Sequence, residues 1–529
     1  MSSSIDRRDL LKGLTAASAL GLFLEGGIPA LAQSALKLGA AEPFSFDKLR
    51  NTAKQMASGP YSAPRRPDPE TVNQITYEEW GKIKFDTNQS LFVDGPGNFP
   101  VTFFHIGKFF QKSVEMHVVD NGEARTIVYN QAMFDMPESS PARKLPAGVG
   151  FAGFRIQEPR DGKLDWRNND WTAFLGAAYF RAIGDLYQYG QSARGVAVDV
   201  AVAGKDEEFP DFTHFYIETL KEKSNTIVLY ALLDGPSITG AYKFTMTRDK
   251  SVIMDIEHTL NLRKDISRLG IAPVTTMYWF SETAKPTAID WRPEVHDSDG
   301  LALWTGAGEH IWRPLNDPDR TTASSFADQS PKGYGTLQRD RNFDHYLDGV
   351  YYDRRPSLWV EPNGDWGKGA VQLVEIPTDD EIHDNVVAMW VPSEPATAGK
   401  SYSFRYKLFW QANEPFDDGL ARCVATRLGR GGQPGLPRPA GVRKFMVEFL
   451  GGPLGTLPFG VKPEMSLWTS RGHFTDYQYT EAVPDGVSGH WRAQFDLVVD
   501  GPDPVEMRCF LKSGDKLLSE TWAFQYHPF

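Results

Sequence analysis

Two short acidic segments hold the side chains best suited to moving protons, Val295-His296-Asp297-Ser298-Asp299-Gly300 and Glu381-Ile382-His383-Asp384-Asn385. Each lies at the end of a β-type run, where loop side chains can converge at one edge of a sheet. Inverting cleavage of a glycosidic bond needs an acid at the departing oxygen and a base that receives a proton from the incoming nucleophile. Asp384 and Asp297 offer such a pair. Spacing alone does not select them, because 68 acidic residues provide many pairs and a solvated turn aspartate is the plainer reading of each.

A third segment, Tyr351-Tyr352-Asp353-Arg354-Arg355-Pro356-Ser357-Leu358-Trp359, sets aromatic rings beside two guanidinium groups. That chemistry suits a groove for sugars, and equally a strand with Trp359 in the core and Arg354 and Arg355 paired to surface acids. Gly190-Gln191-Ser192-Ala193-Arg194-Gly195 has one residue too many for a G-x-S-x-G nucleophile turn and reads as a turn or groove-lining loop. There is no phosphate-binding P-loop pattern, no H-E-x-x-H and no C-x-x-C, and the 11 histidines are scattered singly. Neither a metal nor another cofactor is expected.

The elements that must position these residues are mostly strands. Ser45 to Met56 has the apolar spacing of one helical face, and from Ile75 onward β-rich runs bounded by Gly, Pro, Asn and Asp follow one another. They include 113–119, 226–233, 242–247, 251–262, 274–280, 371–376, 385–391 and 401–410. No regular alternation with long helices accompanies them, which favours an all-β, antiparallel sandwich over an α/β barrel. The pattern breaks in a Gly- and Pro-rich stretch and then resumes in short strands over fewer than a hundred residues, the size of an immunoglobulin-like sandwich. The expected organisation is a β-sandwich at 33–415, a linker at 416–441 and a second sandwich at 442–529.

With 529 residues, 41% hydrophobic and 23% charged, the chain has the composition of a folded protein of more than one domain. Its net charge of −12, with both signs interspersed, excludes the electrostatic footprint of a nucleic-acid binder and suits a neutral partner. Arg7-Arg8-Asp9-Leu10-Leu11-Lys12, an apolar stretch to Leu24 and Ala30-Leu31-Ala32 read as a twin-arginine export signal over residues 1–32, cleaved after Ala32. No later segment is apolar enough to span a membrane. Cys423 and Cys509 are expected to be buried free thiols.

Several segments resemble one family along nearly the whole chain: Phe151-Ala152-Gly153-Phe154-Arg155, Tyr187-Gln188-Tyr189-Gly190, Ser192-Ala193-Arg194-Gly195 and Glu207-Glu208-Phe209-Pro210-Asp211-Phe212. Ile238-Thr239-Gly240-Ala241-Tyr242, Arg355-Pro356-Ser357-Leu358-Trp359-Val360-Glu361-Pro362 and Glu520-Thr521-Trp522 extend the match. The chain resembles the OpgG/OpgD (MdoG/MdoD) family of periplasmic glucan biosynthesis proteins, and its twin-arginine signal is closer to OpgD. The resemblance implies a galactose-mutarotase-like β-sandwich followed by an immunoglobulin-like domain, and a part in making osmoregulated periplasmic glucans. It further implies inverting cleavage or transglycosylation of β-1,2-glucan, with Asp384 as general acid and Asp297 as general base. Glu381, Tyr352 and Arg355 would contact substrate, and Asp299 would neighbour them without a catalytic role. A homodimer is implied, in which a loop of the neighbouring subunit helps close the cleft. Here the matching stretch, Gly429 to Arg443, looks shortened and lacks a Trp, which leaves open how the cleft closes and whether water or a sugar hydroxyl is the acceptor. The rival reading is a non-catalytic glucan-binding or assembly protein serving the membrane-bound synthesis machinery. Mutarotase or epimerase activity rests on fold analogy alone.

Overall fold

The structure, a computed structural model, describes residues 36–93, 98–160, 166–219, 224–285 and 288–528. The twin-arginine segment and its cleavage site lie outside the described residues. Among those described, no helix is long and apolar enough to cross a membrane.

Alternation builds the sheets. Strand Val252–Leu262 buries Val252, Met254, Ile256, His258 and Leu260 on one face and leaves the intervening residues partly exposed, as the period of two in a strand requires. It pairs antiparallel with Ile238–Arg248 on one side and Ser401–Gln411 on the other. Pairings of this kind give a sixteen-stranded sheet, faced by a ten-stranded sheet that contains Leu269–Thr276, Lys368–Glu375 and Val386–Pro392. Phe154 and Phe174 of the smaller sheet meet Phe215 and Phe244 of the larger one edge to face, at 4.9 to 5.4 Å between centroids. Each such pair contributes about 0.5–1.5 kcal/mol beyond its buried area. The all-β sandwich therefore stands.

The expected helix spans Phe46–Ala57, with Ser45 Oγ accepting from the Lys48 amide at 3.1 Å. Its buried face, Leu49 and Ala53, packs on Leu232 and Ala241 of the large sheet. Two short helices, Pro69–Gln74 and Tyr77–Gly81, were not expected, and the second takes up part of the segment read as β from Ile75. Asp68 and Thr76 cap them, and these caps were the signal available.

The C-terminal strands are not detached. Thr521–Tyr526 pairs in parallel with His310–Pro314 through Ile311–Thr521 and Trp312–Trp522, so the large sheet continues into the last hundred residues. A four-stranded sheet covers this part, with Phe445 and Phe495 against Trp522. The linker expected at 416–441 is corrected, because Arg422–Arg430 is a strand of that smaller sheet, paired with Val442–Leu450. A bulge between Cys423 and Ala425 breaks the alternation there, which removes the sequence signal of a strand. The loop that remains is held by Arg438, whose guanidinium donates to the carbonyls of Gly431 and Gly432. Cys423 and Cys509 are buried free thiols.

Gly300 opens strand Gly300–Trp304, and a Cβ there would sit 2.2 Å from the Trp312 ring. Gly300→Ala is expected to cost about 1–3 kcal/mol through overpacking, read as a lower urea midpoint. An unchanged midpoint would mean that the ring can give way.

Candidate functional site

The two acidic segments meet at one piece of backbone. Strand Leu269–Thr276 pairs with Val386–Pro392, matching Thr276 to Val386, and its continuation Tyr278–Phe280 pairs with Val295–His296. The Asp297 amide donates to the Met277 carbonyl at 2.8 Å. From the other side the Asn385 side chain clamps Tyr278, accepting from its amide at 2.9 Å and donating to its carbonyl at 2.8 Å. Ser298 adds a hydroxyl contact to Thr276 at 2.8 Å. Met277 and Tyr278 thus tether Asp297 and Asp384, the latter next to Asn385 in sequence, to the same turn of chain.

Both carboxylates are buried, Asp297 at 5% and Asp384 at 1% exposure, which sets aside the solvated-turn reading of each. Arg355 Nε lies 3.3 Å from Asp297 Oδ1 in an ion pair, yet this oxygen accepts no hydrogen bond. Burial pushes the Asp297 carboxyl above its usual range, while the charges of Arg355, Arg181 and His296 oppose the rise. Arg181 is buried in strand Tyr179–Ala182; burial lowers its pKa, and Asp384 and then Asp297 act against that fall. Arg194, in strand Ser192–Arg194, also feels Asp384 and is paired with Glu207 at 2.5 Å. The turn or groove loop expected at 190–195 is therefore corrected, with Ser192 fully buried in the sheet.

The remaining expected site residues join this cluster. The Tyr352 hydroxyl donates to Glu381 Oε2 at 2.7 Å, and Arg292 pairs with the same oxygen at 2.5 Å. The Arg355 guanidinium lies 5.1 Å over the Tyr352 ring and donates to the Tyr189 carbonyl at 2.5 Å. Gly190 passes close under it, where a Cβ would come within 3.2 Å of the Arg355 side chain. Of the two open readings of 351–359, Trp359 is a core residue at 1% exposure, while Tyr351 and Arg354 face outward. Arg181, Arg194 and Arg292 were missed as neighbours of the acids, because each is a lone basic residue in a run that gives no spacing signal.

Asp299 serves the fold. Its carboxylate accepts the amides of Arg339 and Asp340 at 3.0 and 2.8 Å, and burial lifts it to about 6. His296 donates from both ring nitrogens within the core, Nδ1 to Gln338 Oε1 at 2.9 Å and Nε2 to Glu294 Oε2 at 3.0 Å. Burial opposes its charge, but the Glu294 carboxylate prevails and raises it to about 9. Glu282 is pushed up to about 8 by burial and then by Glu294, and it accepts the Thr426 amide at 2.9 Å.

A pH dependence follows from this last group. A folded-state pKa raised above the ordinary 4.5 contributes stability that is complete below about 4.5 and lost as pH rises through about 8. Glu282→Gln is expected to flatten the fall in stability over that window relative to the parent, as followed by urea unfolding. Parallel slopes in the two proteins would count against a shared proton at Glu282 and Glu294.

The comparisons agree with the motifs. Residues 44–526 match the family described as periplasmic glucan biosynthesis protein, MdoG. The chain is 64% identical to glucans biosynthesis protein D 2 of Ralstonia nicotianae, over 99% of this chain and 98% of that one. It is 44% identical to glucans biosynthesis protein D of Stenotrophomonas maltophilia and 43% to that of Xanthomonas oryzae pv. oryzae, with the same coverage. On a match that spans both sheets and every segment of the site, the chain belongs to the periplasmic glucan biosynthesis protein family, MdoG, and lies on its glucans biosynthesis protein D side.

Proposed function

We propose that this chain is a periplasmic enzyme of osmoregulated glucan synthesis that cuts or transfers the β-1,2-linked glucose backbone with inversion. The observation that carries the reading is the convergence of two buried carboxylates, Asp297 and Asp384, on Met277 and Tyr278 among arginines. Asp384 gives its proton to the glycosidic oxygen as the bond from the anomeric carbon to that oxygen breaks. A water or sugar hydroxyl attacks the anomeric carbon from the opposite face, and its proton passes to Asp297 directly or through a relay. The raised affinity of Asp297 for a proton, and an Oδ1 that accepts no hydrogen bond, suit the receiving role. Glu381, Tyr352 and Arg355 hold the sugar beside them. The linkage comes from the family resemblance, as do the homodimer and a working connection to membrane-bound synthesis machinery, while export by the twin-arginine route rests on the Arg7-Arg8 segment.

The second reading is a non-catalytic glucan-binding or assembly role, favoured by the Arg355 ion pair, which occupies the Asp297 charge. The test is product analysis by mass spectrometry and NMR after incubating the mature chain with linear β-1,2-glucan. Shortened reducing chains identify a glucanase, and cyclic or newly linked products identify a transglycosylase. Bound but unchanged polymer replaces the enzymatic reading with the assembly one.

A further inference from the structure

The outer face of the large sheet, on strands other than those of the acidic site, carries a second cluster. Strands Glu115–Asp120 and Asp211–Glu218 run parallel, with His214 opposite Glu115 and Tyr216 opposite His117. Because alternate residues share a face, Glu115, His117, His214 and Tyr216 all project from the same side. The rings of His214, His117 and Tyr216 lie nearly parallel, with His117 4.4 Å from Tyr216 and 5.9 Å from His214. Phe44 closes the stack on Tyr216 at 4.5 Å.

Parallel rings bring both Nε2 atoms toward one carboxylate oxygen. Glu115 Oε2 is 3.7 Å from His117 Nε2 and 3.6 Å from His214 Nε2, too far for hydrogen bonds. The His117 Nε2 is buried and makes no hydrogen bond, an uncommon state for a ring nitrogen. The other nitrogens are held. The Thr213 hydroxyl contacts the Leu232 carbonyl at 3.2 Å and His214 Nδ1 at 2.9 Å, and when it donates to the carbonyl its oxygen accepts from Nδ1. That places the proton on Nδ1 and the lone pair on Nε2. Thr126, opposite His117 on strand Glu123–Ile127, contacts His117 Nδ1 at 3.2 Å.

We propose that Glu115, His117 and His214 form a site for one divalent transition-metal ion, with zinc(II) as the reference ligand. The three donor atoms lie within 4.8 Å of one another, and a tetrahedral ion with bonds of about 2.0–2.2 Å holds its ligands roughly 3.4 Å apart. Glu115 Oε2 already lies near that spacing from both imidazoles, so the remaining closure falls to the two histidine rings. Two imidazoles and one carboxylate select zinc, nickel or copper over calcium or magnesium, and Thr126 and Thr213 supply the outer contacts that orient metal-bound histidines. No spacing motif announces the site, because Glu115 and His117 lie on one strand and His214 on another.

The test uses the full mature chain without an affinity tag, stripped with chelator and titrated with zinc sulfate by calorimetry, with metal content measured after dialysis. One equivalent is expected. His214→Ala and Glu115→Gln, at partly and largely exposed positions, should each weaken binding by more than about 100-fold, and Thr126→Val, which keeps every ligand, by about 10–100-fold. The cobalt(II) form should show visible ligand-field bands that His214→Ala abolishes. Thermal unfolding of the metal-free variants checks that they are folded. Sub-stoichiometric zinc in the parent, or full affinity in folded His214→Ala, overturns the site.

Discussion

Asp384→Asn is expected to slow cleavage or transfer of β-1,2-glucan by about 10²–10⁴-fold, the usual contribution of a positioned general acid, while polymer binding persists. Asparagine keeps the shape of the side chain at a position 1% exposed, so the loss reports the proton rather than a cavity. It also removes a carboxyl that, when ionised, favours the buried guanidiniums of Arg181 and Arg194. Some loss of stability should accompany the loss of rate, and urea unfolding of the variant separates the two effects. Asp297→Asn should fall by a similar factor for the opposite proton, and it leaves Arg355 without its ion-pair partner. A variant at position 384 that turns over at the parent rate would remove Asp384 from the chemistry. Parent protein that binds glucan without altering it would remove the chemistry altogether.

The largest effect on stability is expected from Arg339→Met. The Arg339 guanidinium sits where the two parts of the large sheet join, 3.7 Å over the Trp312 ring. It pairs with Glu520 at 2.5 Å and with Glu414 at 2.6 Å, and it donates to the Cys423 carbonyl at 3.1 Å. Burial disfavours its charge, but Glu520 and Glu414 outweigh burial and raise its pKa. Methionine fills much of the volume but leaves the buried Glu520 carboxylate without its partner, while Glu414 keeps Arg422 at 2.7 Å, a cost of about 3–5 kcal/mol for breaking such a group from one side. Adding Glu520→Gln should recover part of the loss, although Glu520 also accepts the Cys423 amide at 2.7 Å. A loss below about 1 kcal/mol would place the pair among weak surface bridges.

The closing Glu520-Thr521-Trp522 segment therefore contributes to the fold. Glu520 holds Arg339, and the Trp522 indole donates to the Thr426 hydroxyl at 2.9 Å. Ser192-Ala193-Arg194-Gly195 similarly belongs to a buried strand and an ion pair with Glu207. Motif residues mark the family well, and only their contacts separate those that position the site from those that line it.

Strand character and the helix at Phe46–Ala57 were legible in the sequence, because alternation and helical spacing are set by residues close together in the chain. The acidic segments were legible as candidates, and the resemblance assigned them roles. What the chain order did not contain was register between distant strands. Matching Thr276 to Val386 and Tyr278 to His296 brings Asp297 and Asp384 to one turn of backbone, and matching His214 to Glu115 assembles the histidine cluster. A slip of one residue in any of these pairings would turn the side chains to the opposite face. The same dependence decided that Trp359 is core and that 422–430 is a strand. Local pattern determined which segments become strands; the packing of two sheets, a sum over many long-range contacts, decided which side chains meet.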